Sequence, residues 1–180
     1  DRPGPYPPNY QCYPTINDAV FSIGSHYITL GQGVYNQWLT DKPAYMLFLA
    51  LAQWQAGDRI DNYILIQVAL LSLIPALLFL LGKKGMGVAG GVFVALLALL
   101  EGSNAIMLYQ KVGGINAKLE ATELLTSVFL IVFCLAVIKW FINPRNHIWA
   151  AIAGGILGLA ALIRFTPVFI LPGILLTYLI

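Results

Sequence analysis

From residue 63 to residue 180 the sequence is a succession of apolar runs, each about as long as a bilayer is thick, separated by short steps carrying glycine, proline or charge. The runs fall at 63–81, 86–108, 119–141 and 148–163, with a shorter one at 165–180. In hydrocarbon every backbone N–H and C=O must be satisfied within its own segment, so runs of this kind fold as helices. Hydrophobic residues make up 59% of the chain and charged residues 10%, against about 25% charged in soluble domains. The mean hydropathy is +0.78. The expectation is an all-α, polytopic membrane helix bundle with about five transmembrane spans. The formal net charge is +2 and no basic run is longer than Lys83-Lys84, which excludes nucleic acid as a partner.

Ahead of the bundle, assigned to 62–180, residues 1–61 read as an extracytoplasmic loop. Its first 15 residues hold five of the ten prolines and cannot be helix. Over 16–30 the apolar positions Ile16, Val20, Ile23, Tyr27 and Leu30 recur at helical spacing, capped by Asn17 or Asp18 and stopped by Gly31 and Gly33. This predicts an amphipathic helix lying on the bilayer. A second helix starts at Asp41-Lys42-Pro43, runs its apolar residues from Tyr45 to Trp54, and stops at Gly57. At about 12 residues it is too short to span and is either interfacial or re-entrant. Cys12 and Cys134 sit in the loop and in an apolar run, so both are expected free. The abrupt start at Asp1 and the run broken off at Ile180 suggest a piece of a longer polypeptide.

Pro75 is tolerable inside a span, where neighbouring helices satisfy the freed carbonyl. Gly90-Gly91 and the stretch GGILGLAA over 154–161 supply small residues for close helix contact. Orientation follows from charge. The turns at Lys83-Lys84 and 139–147 contain Lys83, Lys84, Lys139 and Arg145 and no acid, which marks them as cytoplasmic. The acids Asp1, Asp18, Asp41, Asp58, Asp61, Glu101, Glu120 and Glu123 all fall on the opposite side, or at span ends facing it.

The outer face therefore gathers Asp18, Asp41-Lys42, Glu101, the loop 109–118, Glu120, Glu123, and Arg164 with Thr166-Pro167. A mixed cluster at a membrane boundary suits an anionic lipid headgroup. Arg164, between two apolar runs, must face a cavity or a partner, or else snorkel to the interface. Glu120 and Glu123 stand three apart at a span start, where the helix dipole favours negative charge; plain capping is the simpler account of the pair. His26 has no second His or Cys at metal spacing, so no metal site is assigned and a divalent cation is left open. The aromatics Tyr27, Tyr35, Trp38, Tyr45 and Trp54 fit an interfacial belt better than a sugar platform.

On these residues the chain resembles the membrane glycosyltransferases of the GT-C class, particularly the bacterial protein-mannosyltransferase-like family 39 and its aminoarabinose-transferase relatives. The parts that carry the resemblance are Asn17-Asp18 ahead of a helix ending at Gly31 and Gly33, the Asp41-Lys42-Pro43 step, Thr122-Glu123 at a span start, and GGILGLAALIRFTP over 154–167. The resemblance implies a sugar donor on a polyprenyl phosphate, an acceptor hydroxyl or amine, and a site on the extracytoplasmic face of the cell membrane. It makes Asp18 the base on the acceptor and Glu123 a second catalytic residue over the same opening. Lys42 becomes the phosphate clamp, with Arg164 a second candidate, and Asn17, Asp41 and Glu120 line the donor. Many members carry Asp-Glu where this chain has Asn17-Asp18; strict register aligns their aspartate with Asn17, and a one-residue shift restores Asp18. Two other classes remain: a GT-C-like membrane subunit without chemistry, partnered by other membrane subunits, and a small-molecule transporter with an intramembrane Arg164.

Overall fold

The computed structural model describes residues 24–31, 42–56, 60–107 and 122–174. Asn17, Asp18, Asp41, Glu120, Cys12, Gly33 and the loop 109–118 lie outside the described residues. Among the described residues the chain is all helical. The helices are α1 (Pro43–Ala56), α2 (Ile60–Met107), α3 (Thr122–Ile142) and α4 (His147–Ile163), followed by a 3-10 turn over Thr166–Ile170. Two of them, α2 and α3, are long and apolar enough to cross a membrane, and α4 is a shorter apolar helix.

At 48 residues, α2 would be about 72 Å long if straight, more than twice the hydrocarbon thickness. It is not straight. Gly87 has φ 73° and ψ −173°, a backbone that side-chain-bearing residues rarely adopt, and there the chain reverses. The two arms lie against each other: a Cβ on Gly91 would stand 2.8 Å from the Phe79 carbonyl oxygen, and one on Gly82 3.0 Å from the Gly91 Cα. Farther along, Leu71 Cδ1 meets Gly102. The predicted break between 81 and 86 is therefore corrected, because helix continues through Lys83 and Lys84 as far as Gly87. Lysine is a good helix former, and only a glycine permits the reversal itself. Gly91 fulfils the close contact expected of Gly90-Gly91.

α3 starts with Glu123 in its first turn and ends with Lys139 in its last, both matched to the helix dipole. The turn 143–146 returns the chain into α4, whose first amides are capped by Asn146, its side-chain oxygen accepting from the Ile148 N–H at 3.2 Å. The two helices pack antiparallel, with Phe133, Ala136, Ala153 and Leu157 buried between them. A second cluster, Leu71, Ile74, Leu124 and Ile131, joins the first arm of α2 to α3. The third holds α1 across the bundle: Tyr45, Met46, Leu49 and Ala52 bury against Leu125 at the start of α3 and Ile163 at the end of α4, with Ile66 and Leu70 at the start of α2 packed around them.

One further expectation is corrected, and two further segments are described in part. The glycines Gly154, Gly155 and Gly158 meet nothing within 4 Å where a Cβ would stand, so within the 154–161 stretch the packing on this chain comes from Leu157 and Ala160, both buried, and not from the glycines. Over 24–30, Ser25 is buried and Ile28 packs on the α1 cluster, while Tyr27 and Leu30, on the predicted apolar face, are open on the outside of the chain. The last run opens with a 3-10 turn over Thr166–Ile170 and is α-helical over 171–174. In α4, apolar on both faces, hydrophobic periodicity does not choose the packed face. The small or polar residues that do lie buried are Gly82, Gly91, Ala136, Ala153, Ala160, Ser25, Gln67, Thr122 and Thr126.

Candidate functional site at the acidic end of the bundle

The α1 cluster ties three chain positions together. Tyr45 and Met46 follow Lys42 by one turn of helix, Leu125 follows Glu123 by two residues, and Ile163 immediately precedes Arg164. Lys42, Glu123 and Arg164 thus belong to one end of the bundle although they come from three separate helix termini. Glu101, near the end of the second arm of α2 beside Gly102 and Leu71, lies at the same end. Lys83, Lys84, Lys139 and Arg145 occupy the other.

Arg164 ends α4. Its backbone leaves the helix in an extended conformation, φ −156° and ψ 131°, with its N–H still donating to the Ala160 carbonyl at 2.8 Å. Pro167, three residues on and buried, stands in the first turn of the 3-10 helix that follows, where its missing N–H costs no helical bond. The guanidinium so positioned donates from Nη1 to Glu123 Oε1 and from Nε to Thr166 Oγ1 at 3.3 Å. Because α3 and α4 are antiparallel, Glu123 sits at a positive helix end and Arg164 at a negative one. Each charge is favoured by its own helix as well as by the other. Both side chains are 41% exposed, so the pair is open to the surroundings.

Under the pair the helix faces are polar. Thr126 Oγ1 donates to the Thr122 carbonyl at 2.7 Å and Ser127 Oγ to the Glu123 carbonyl at 2.8 Å. Thr122, Thr126, Gln67 and Ser25 are buried, and so is Tyr45 in the cluster itself. Lys42 stands immediately outside α1, as expected of a residue before proline. Its carbonyl accepts from the Met46 N–H at 3.1 Å, and its side chain is half-buried and engaged.

Sequence reasoning placed Glu123 and Arg164 on one face and missed that they pair. The signal was there: two opposite charges, each at the end of an apolar run, on the same side of the predicted membrane. Gln67, an amide inside an apolar run, was also passed over. Asn17, Asp18, Asp41 and Glu120 lie outside the described residues. Among the described residues no three His, Cys, Asp or Glu side chains cluster as a metal site would require.

A groove of about 430 Å³ lies elsewhere, between the α2 arms, lined by Pro75, Ala76, Phe79, Leu80, Val92, Ala95 and Leu96, with no polar group. It offers nothing to orient a polar substrate. Comparison with known proteins is silent: no family model, curated protein or solved structure matches the chain.

Proposed function

We propose that the chain is a multi-pass bundle of GT-C type in the cell membrane. Its acidic end would move a sugar from a polyprenyl-phosphate donor to a hydroxyl or amine on the extracytoplasmic face. The observation that carries this reading is the convergence of Lys42, Glu123 and Arg164, from three helix ends, at one end of the bundle. Ionisable groups at a membrane boundary are costly and collect where a polar ligand or partner is met. The multi-pass reading is supported by the outward faces, which carry Leu80, Phe93, Leu100, Leu162 and Phe169 in the open. Water tolerates such a surface poorly, and acyl chains do not distinguish it from themselves. Reversal at Gly87 makes two passes of α2, and α4 with its 17 residues reaches the lower limit of spanning length, about 17.

In this reading Asp18 takes the acceptor proton as the nucleophile reaches the anomeric carbon. The donor phosphate gathers charge as it leaves, and Lys42 meets it at the start of α1. Glu123 and Arg164 hold the rim of the same opening. The purified chain, given a polyprenyl-phosphate sugar and an acceptor, is expected to turn over, and Asp18→Asn to lose transfer by about 10²- to 10⁴-fold. Lys42→Met should weaken donor binding with folding intact. Donor binding that is unchanged in Lys42→Met removes the clamp, and absence of turnover in the unaltered chain removes the enzyme.

One observation favours a second reading. Glu123 is already neutralised by Arg164, as a structural pair would be, and this suits a non-catalytic subunit that keeps the scaffold. A stable partner copurifying with the chain, together with no turnover, would select it.

A further inference from the structure

The end of the bundle away from Glu123 and Arg164 has a surface of its own. Leu81 and Leu135 belong to one cluster, so Lys83 and Lys84 on α2 stand at about the level of Lys139, one turn beyond Leu135 on α3. Arg145 follows in the turn to α4. All four are exposed, and no acid is found at this end among the described residues. Between these cations large apolar side chains point outward: Met86 is 63% exposed, Ile142 72% and Ile148 66%. Two tryptophans lie at the same level. Trp149 carries Lys139 Nζ 4.0 Å from its ring centre, and Trp140 stacks on Phe141. The amides that open α4 are capped by Asn146, so the cations and not the helix end supply the attraction.

We infer that this end, Lys83, Lys84, Lys139 and Arg145 with Met86, Phe141, Ile142 and Ile148, is a docking surface for anionic phospholipid headgroups. The chemistry selects the ligand. Clustered cations attract a negative lipid surface, each contributing over a distance of about one Debye length. Exposed aliphatic tips gain by entering the acyl boundary, and tryptophan rings prefer that depth. An acidic soluble protein would satisfy the cations but would leave Met86, Ile142 and Ile148 in water. The inference takes from the proposed function only that the helices cross a bilayer; it needs no sugar transfer.

The test uses the full chain in lipid nanodiscs, where both leaflets are alike and insertion direction does not matter. Brominated phosphatidylglycerol and brominated phosphatidylcholine are compared, at equal mole fraction, as quenchers of tryptophan fluorescence, with Trp38 and Trp54 replaced by Phe so that Trp140 and Trp149 report. Stronger quenching by the anionic lipid is expected. The preference should fall roughly fivefold at low salt for each of Lys84→Gln and Arg145→Gln, and less at high salt. Equal quenching by the two lipids overturns the inference, as does a preference that survives Lys84→Gln and Arg145→Gln together. Relief of quenching by soluble polyglutamate but not by added anionic lipid would assign the surface to an acidic protein instead. Loss of transfer in the Asp18 and Lys42 variants is read separately and moves independently of these outcomes.

Discussion

Glu123 and Arg164 show what a single pair decides at this boundary. Exposed ion pairs in water are worth about 0.2–1 kcal/mol, and these two side chains are 41% exposed. Removing one partner leaves the other charge beside apolar helices, which costs more than the pair contributes. Glu123→Gln and Arg164→Gln are each expected to destabilise the bundle by about 1–2 kcal/mol, and the double variant by less than their sum. Thermal unfolding of the four proteins in one detergent measures this; strict additivity would mean the two side chains do not interact. A glycine contrast belongs to the same scale. Gly91→Ala places a Cβ 2.8 Å from the Phe79 carbonyl and should cost about 1–3 kcal/mol by overpacking. Gly158→Ala meets open space and should be neutral or stabilising by up to about 1 kcal/mol. Similar melting temperatures for the two would contradict the packed arms of α2.

Among elements, α2 determines the architecture because its 48 residues must be folded back at one point. The fold-back makes a specific demand on residues far apart in sequence. Cysteines placed at 71 and 102, where Leu71 Cδ1 meets Gly102, should be joined by a short bismaleimide reagent. Cysteines at 71 and 87 should not, since about 16 residues of helix, roughly 24 Å, separate them. Failure to join the first pair would mean that α2 runs straight through Gly87, which would hold positions 71 and 102 about 46 Å apart. α1 acts differently. Too short to span, it is held by burying Tyr45, Met46, Leu49 and Ala52 across the ends of three other helices, and it thereby brings Lys42 to Glu123 and Arg164.

For the whole molecule the distribution of charge is the controlling fact. Lys83, Lys84, Lys139 and Arg145 stand at one end, with Glu101, Glu123 and Arg164 at the other, as alternating helix direction requires. If the bundle crosses a bilayer, cysteines introduced at 84 and 145 should be labelled from one side and those at 42 and 123 from the other, because short basic loops stay cytoplasmic. Labelling of residues 84 and 42 from the same face would remove both the topology and the proposed site.

Much of this was legible in residue order alone. Long apolar runs can fold only as helices, Pro43 opens α1, Gly31 with φ 78° ends the helical segment before it, and the Lys/Arg steps segregate from the acids whatever the packing. Those features depend on local backbone chemistry and on charge counted along the chain. Which face of α4 is packed was not legible, because a helix apolar all round gives periodicity nothing to mark; Gly154 and Gly158 turned outward, and Leu157 and Ala160 inward. Nor did residue order place the reversal at Gly87 and not Lys83-Lys84, since several glycines competed and only close packing of Gly82 on Gly91 selects among them. The pairing of Glu123 with Arg164, 41 positions apart, is likewise a product of antiparallel α3 and α4, which bring opposite dipole ends and opposite charges to one place.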